Sequence, residues 1–231
     1  PTQLPEGLVI SALLPREDAR DVFFSRFKKA DGTPCGLMDL PAGSVVGTAS
    51  LRRQAIVRHL RPDLKVEVLR GNVGTRLKKM NDGIVDATML ALAGLKRLTA
   101  LEGVAEIIAP EVMLPAVAQG SLGIETRAYD KATRDLLATV HCAITELSVV
   151  AERAFLAVMD GSCRTPIAAH MAQPDPMHRA RLDVLVARPD GSDVRRESFM
   201  MEVRHIGDAQ RLGEHAGQSL RAKLPADYFG A

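Results

Sequence analysis

Five arginines occupy positions from which guanidinium groups bind anions. Arg52 and Arg53 open the stretch LRRQAIVRHL, directly after SVVGTAS; Arg70 and Arg76 flank GNVGT, after KVEVL; Arg97 follows DATMLA by one short helical stretch. A guanidinium presents a planar fork that matches a carboxylate or a phosphate. Helix N-termini and glycine-rich turns aim amide N–H groups at anions as well. Each charge-assisted hydrogen bond contributes about 1.5–3 kcal/mol net, so several converging forks would hold a ligand with many anionic groups. Residues 51–80 carry nine basic side chains against Asp63 and Glu67, a local charge of +7 in a chain of net charge +2. A field that concentrated points to an anionic partner. Taken singly, each of the five arginines reads equally well as structural; their shared position at strand ends favours a site. Arg58, Arg61, Lys78 and Lys79 read as plain surface charge.

Other chemistries are poorly supported. The chain has no Trp, two Tyr and six Phe, too few aromatic platforms for stacking single-stranded bases, and no nucleic-acid-binding signature stands out. RGNVGTR lacks both the GK[ST] ending and the GxGxxG spacing of nucleotide loops. The six histidines are scattered without HExxH spacing, which argues against a metal site. Three cysteines (Cys35, Cys142 and Cys163) without CxxC argue against a disulfide scaffold and for a reducing compartment. Cys163, in DGSCRTPIA, stands beside Arg164. The neighbouring charge favours the reactive thiolate and the end of the preceding helix opposes it, so composition leaves its reactivity open. Cys142 reads as core and Cys35 as a loop residue without a partner.

These side chains need a scaffold. With 46% apolar and 25% charged residues in 231, the chain has the balance of a globular protein, and no apolar run approaches the roughly 20 residues that span a bilayer. Its opening, PTQLPEG, has no signal-peptide character and no initiator Met, which suggests a processed product or a fragment. Residues 6–14 read as a strand. Residues 27–42 read as a loop with a short helix. Strands at 44–50, 65–69 and 86–91 alternate with helices at 51–60, 76–82 and 92–98, Ser50 capping the first and Thr75 starting the second. Short links between them predict an α/β domain with a largely parallel sheet. Its ligands would sit beyond the carboxyl ends of the strands. Residues 110–127 read as extended, 130–140 and 145–159 as helices with Thr145 capping the second, 180–203 as a hairpin about Pro-Asp-Gly, and 208–224 as a helix. The last third is therefore α+β with antiparallel pairing.

Four long motifs, REDARDVF (16–23), VVGTASLRRQ through LAGLKRL, LPAVAQGSLGIE (114–125) and AERAFLAVMDGSCRTPIAAH (151–170), are similar to those of the porphobilinogen deaminase (hydroxymethylbilane synthase) family, in order along the whole chain. The resemblance implies an α/β protein of three domains. Two would be periplasmic-binding-protein-like α/β domains, the first incomplete here, and the third a C-terminal α+β domain with an antiparallel sheet. The boundaries implied are 1–15 (tail of domain 1), 16–113 (domain 2), 114–140 (return to domain 1) and 141–231 (domain 3). It implies a transferase of haem biosynthesis that joins four porphobilinogen molecules head to tail into hydroxymethylbilane and releases ammonia each time. The alternative is a non-catalytic polyanion-binding module of periplasmic-binding-protein type.

Carried over residue by residue, Cys163 would hold a covalent dipyrromethane cofactor through a thioether. Thr48, Ser50, Arg52, Arg53 and Arg76 would contact that cofactor, and Arg70, Arg76, Arg97 and Gln119 would bind substrate. The implied setting is a cytoplasmic monomer with a small-molecule substrate and no metal, nucleic-acid or membrane partner. One departure from the family pattern concerns its catalytic aspartate, in a Lys-Asp pair upstream of the position matching Pro1. The catalytic residue is therefore not assigned, and a chain of these 231 residues is expected to be inactive alone.

Overall fold

The computed structural model describes residues 4–159 and 165–229. Strand β1 (Leu8–Leu13) leads to β2 (Asp21–Ser25), β3 (Val45–Gly47), helix α1 (Leu51–Leu60), β4 (Lys65–Glu67), α2 (Val73–Asn81), β5 (Ala87–Ala91), α3 (Leu92–Arg97) and β6 (Val104–Ile107). The chain then returns through β7 (Gly123–Arg127), α4 (Lys131–Leu137) and α5 (Ala143–Val158), and closes with β8 (Ile167–Met171), β9 (Arg179–Ala187), β10 (Val194–Glu202) and α6 (Ile206–Arg221). The architecture is α/β followed by an antiparallel α+β region.

A five-stranded sheet has the order β4-β3-β5-β2-β6. Strand β3 runs parallel to β4 and to β5, whereas β2 runs antiparallel to β5 and to β6. The sheet is thus mixed, not largely parallel. A parallel neighbour needs a crossover connection; β2 is entered directly from β1, without a helix, and slots between β5 and β6 from the opposite end. Strands β2, β6 and β8 escape the sequence reading. DVFFS is short and lies behind a charged run, so neither alternation nor length marks it. Its five residues are all buried, with Val22 and Phe23 at 0% exposure.

The 110–127 segment is extended only at β7. Before it the chain turns, with left-handed backbone at Ala118 (φ 58°) and Gly120 (φ 86°). A Cβ at Gly120 would lie 2.4 Å from the Glu17 carbonyl oxygen, so glycine lets this turn press against residues 17–18. Strands β1 and β7 pair antiparallel as a two-stranded ribbon.

Strands β8, β9 and β10 form an antiparallel sheet in the order β10-β9-β8. Helices α5 and α6 pack on it around Phe155, Leu212, Leu220 and Tyr228. The two helices approach closely at Gly213, where a Cβ would stand 2.1 Å from the Ala151 carbonyl oxygen. A second core joins α1 and the five-stranded sheet to the C-terminal sheet, placing Ala55 and Ile56 in one cluster with Ala168, Leu185 and Ala187. The turn of the β9–β10 hairpin docks on the same helix: Arg58 Nη1 donates to the Pro189 carbonyl at 2.8 Å.

Local capping differs from expectation at two helices. Asn72, not Thr75, caps α2, accepting from the Thr75 amide at 2.8 Å. Cys142, read as core, is the half-buried N-cap residue of α5; Thr145 is buried inside the first turn and accepts from the Arg16 amide at 3.0 Å. Cys35 is a buried loop residue. Arg61 is a strut, not plain surface charge: its guanidinium donates to the carbonyls of Leu37, Met38 and Leu40.

Candidate active site

The turn from β3 into α1 builds one wall of the site. Thr48 is buried, and its Oγ1 accepts from the Ser50 amide at 3.2 Å. Ser50 caps α1, accepting from the Arg53 amide. A capped first turn places Arg52 and Arg53 side by side, and both are buried, at 3% and 7% exposure. Residues 52–57 of α1 are all buried, so the stretch of helix that carries the two guanidiniums has no solvent face.

Their partner is Asp21, the first residue of β2 and fully buried. Arg52 Nη2 donates to Asp21 Oδ2 at 2.8 Å, and Arg53 donates to Oδ1 through Nη2 at 2.7 Å and Nε at 3.2 Å. Gln119 Nε2 is the fourth donor to the carboxylate, reaching Oδ1 at 2.9 Å, and it also reaches the Ala19 carbonyl at 2.6 Å. Arg52 Nη2 also reaches Gln119 Oε1 at 3.4 Å, and the remaining contacts are to main chain: Arg52 Nη1 donates to the Leu114 carbonyl and Arg53 Nη1 to that of Met89. Burial alone would raise the Asp21 pKa; Arg52 and Arg53 outweigh it and hold the carboxyl below its ordinary value. Burial, opposed by Asp21 and reinforced by Arg53, lowers the pKa of Arg52.

Two further observations give the cluster a ligand-binding character. Arg52 Nε is buried without a hydrogen-bond partner, an orphan donor of the kind that native proteins rarely leave. Two guanidiniums against one carboxylate also leave a net charge of +1. Arg76, half-buried on α2, adds to it: burial and then the charge of Arg53 lower its pKa, and its Nε donates to the Gly71 carbonyl at 2.7 Å. This donor set fits a group carrying several carboxylates, as a dipyrromethane does.

The structure brings together Arg52, Arg53 and Gln119 on Asp21, with Arg76 beside Arg53 and Thr48 and Ser50 at the foot of α1. Arg97, exposed on α3, touches the same turn through a long contact of 3.5 Å to the Gly120 carbonyl. Arg70 is exposed at the start of the loop before α2. Cys163 lies outside the described residues.

A second charged hub was not read from the sequence. Glu152 of α5 is fully buried and accepts from Arg16 Nη1 at 2.5 Å, Arg16 Nη2 at 3.1 Å, the Ala118 amide at 2.7 Å and the Met171 amide at 2.9 Å. His170 Nδ1 stands 3.6 Å from its Oε1. Arg16 Nε also holds the Gln119 carbonyl at 2.9 Å. Asp21 and Glu152 therefore grip the turn at 118–119 from two sides. A signal existed for each. Glu152 falls on the apolar stripe Val149–Glu152–Phe155 of α5, and Asp21 and Arg16 lie in the charged run ahead of Val22 and Phe23.

Two family models match most of the chain. Residues 1–135 match "Porphobilinogen deaminase, dipyromethane cofactor binding domain", and residues 146–222 match "Porphobilinogen deaminase, C-terminal domain". The chain belongs to the porphobilinogen deaminase family. It is 47% identical to the porphobilinogen deaminase of Paracoccus denitrificans (strain Pd 1222), over 99% of this chain and 70% of the relative. It is 44% identical to the chloroplastic porphobilinogen deaminase of Pisum sativum, over all of this chain and 61% of the relative. The chain thus spans somewhat under two thirds to just over two thirds of the length of these relatives. Among solved structures, the periplasmic aliphatic sulphonate binding protein SsuA from Escherichia coli is similar at a TM-score of 0.35 and 17% identity, over 68% of this chain and 49% of that one.

Proposed function

We infer that this chain carries the cofactor-binding and C-terminal parts of a transferase that condenses porphobilinogen head to tail into hydroxymethylbilane, primed by a dipyrromethane held on Cys163. Membership of the family favours this over a non-catalytic anion-binding module. The structural observation that supports it most is the Asp21-centred pair Arg52 and Arg53 with the unpartnered Nε of Arg52.

Each pyrrole ring brings an acetate and a propionate. Arg52, Arg53 and Arg76 would hold the carboxylates of the first rings, with Thr48 and Ser50 at their side, and Arg70, Arg97 and Gln119 would receive those of incoming porphobilinogen. Bound there, dipyrromethane supplies the free pyrrole α-carbon on which chain growth begins. The residues of this chain bind and orient: guanidinium forks fix ring planes through paired carboxylate contacts, and the dry setting of Arg52 and Arg53 strengthens each contact. By holding the ring carboxylates, Arg52, Arg53 and Arg76 would present that α-carbon to the porphobilinogen methylene, whose C–N bond would give way to the new C–C bond, the α-carbon's proton leaving as ammonia departs. Asp21 is committed to two arginines and is not assigned to proton transfer. Among the described residues no helix is long and apolar enough to cross a membrane; a cytoplasmic monomer is part of this proposal.

Intact-mass spectrometry of the purified chain tests it. The mass is expected to exceed that of the sequence by two substituted pyrrole rings, and the excess is expected to stay with a peptide containing Cys163. An unmodified mass in a preparation that turns over porphobilinogen would remove the assignment.

A further inference from the structure

Asp21 is not itself proposed to touch a ligand, yet it organises three of the groups that are, Arg52, Arg53 and Gln119. It is the only acceptor shared by Arg52, Arg53 and Gln119 among the described residues, and these three come from two distant segments, α1 and the turn after Leu114. Its two oxygens divide the work. Oδ2 takes Arg52 Nη2, which turns the Nε edge of Arg52 away from any protein acceptor. Oδ1 takes both Nη2 and Nε of Arg53, fixing that fork side-on, while Arg53 Nη1 is tied to the Met89 carbonyl. Without a carboxylate here, two buried like charges would face each other a few ångströms apart in a medium that screens them poorly.

We propose that Asp21 is a positioning residue for anion binding: it sets the direction of the Arg52 and Arg53 forks and locks Gln119 against them, so that the ligand meets preformed donors. This deepens the reading of the site given above and rests on it. The sign of its effect separates it from simple electrostatics. Asp21 is negative and close to an anion site, so if its charge were all that mattered, removing it would tighten binding. If it positions the arginines, removing it weakens binding, because released guanidiniums reorient towards water.

The experiment compares the intact chain with Asp21→Asn and Asp21→Glu, reading porphobilinogen affinity by calorimetry, thermal melting by circular dichroism, and side-chain positions by crystallography. Asn removes the charge at nearly constant shape. Glu keeps the charge but moves it by one methylene in a site with no exposed surface, and it carries the test should Asn fail to fold. Both variants are expected to bind porphobilinogen about 10- to 100-fold more weakly, the loss expected for one charge-assisted contact, with Arg52 and Arg53 displaced. Wild-type affinity in the Glu variant would reduce Asp21 to a charge balance and overturn the proposal, as would tighter binding in the Asn variant. Should the parent chain bind no porphobilinogen at all, the functional reading fails; the positioning role is then decided by the crystal structures, where unmoved guanidiniums would overturn it and displaced ones would uphold it.

Discussion

Glu152→Gln is the most informative single change outside the arginine cluster. The carboxylate is fully buried and faces Arg16, whose side chain is 9% exposed, so solvent screening does little to discount the pair. Four hydrogen bonds converge on its two oxygens. Gln keeps the volume and one acceptor oxygen, but it turns an NH2 group towards donors and leaves the Arg16 guanidinium without a counter-charge. Summing charge-assisted bonds at about 1.5–3 kcal/mol each would overshoot, since one oxygen survives. The measured cost of stripping one partner from a buried pair, about 3–5 kcal/mol, is the better guide. For a chain of this size that corresponds to a fall in melting temperature of roughly 6–20 °C.

Acidification supplies an internal control for the same variant. Burial would raise the Glu152 pKa, but His170 and Arg16 outweigh it and hold it below the ordinary value. A depressed folded-state pKa means that the stabilisation is complete above the unfolded carboxylate value and is lost as pH falls through the folded one. The gap between parent and variant should therefore be widest near neutrality and close towards strongly acid pH. Calorimetric melts across that range check both statements. A shift below about 2 °C at neutral pH, or a gap that widens on acidification, would refute the reading of Glu152 as an ionised clamp.

Three further experiments probe other parts of the chain. Gly213→Ala should cost about 1–3 kcal/mol by forcing α5 and α6 apart, read as a lower urea midpoint; Gly207→Ala, whose added Cβ would meet only Arg211 Nη1 at 3.6 Å, should be neutral or slightly stabilising. Cys163→Ala should abolish the two-ring mass excess while leaving the circular dichroism spectrum and the melting temperature close to those of the parent. Lys79, whose Nζ donates to the Arg70 carbonyl at 3.1 Å, should tolerate Ala with less than about a twofold change in porphobilinogen affinity, whereas Arg76→Ala should lose about tenfold or more. Equal losses by calorimetry would show that the two cations are not distinguished by burial.

What was legible in the sequence were features encoded locally. Ser50 as a cap, the α1 and β5 segments and the Pro-Asp-Gly hairpin follow from turn chemistry and apolar runs within a few residues. Five arginines at strand ends suggest an anion site from position alone; of these the structure gathers Arg52 and Arg53 on Asp21, with Arg76 near Arg53. The rest depends on residues far apart in the chain. Strand β2 is defined by its neighbours β5 and β6, more than 60 residues downstream, and a five-residue run carries no periodicity by itself. The antiparallel sense of β2 likewise comes from the direction of entry, which no local pattern records. Asp21 looks like one more charge in REDARD until α1 and Gln119 close on it, and Arg58 and Arg61 look like surface charge until distant carbonyls reach them.

The two hubs also explain why charged groups are buried here at all. Asp21 and Glu152 each gather arginine from another segment, and the 118–119 turn is bonded to both, through Gln119 Nε2 on one side and the Ala118 amide on the other. Buried ion pairs are weak sources of net stability, because desolvation offsets most of their Coulomb gain. By that measure an apolar turn would pack as well. What the ionic version adds is direction: each carboxylate accepts only from donors in a narrow geometry, so the turn, α1 and α5 are held in one register. The proposed site, presenting guanidinium edges to several carboxylates at once, would need that register more than additional stability, which accounts for polar clamps rather than a larger apolar core at this junction.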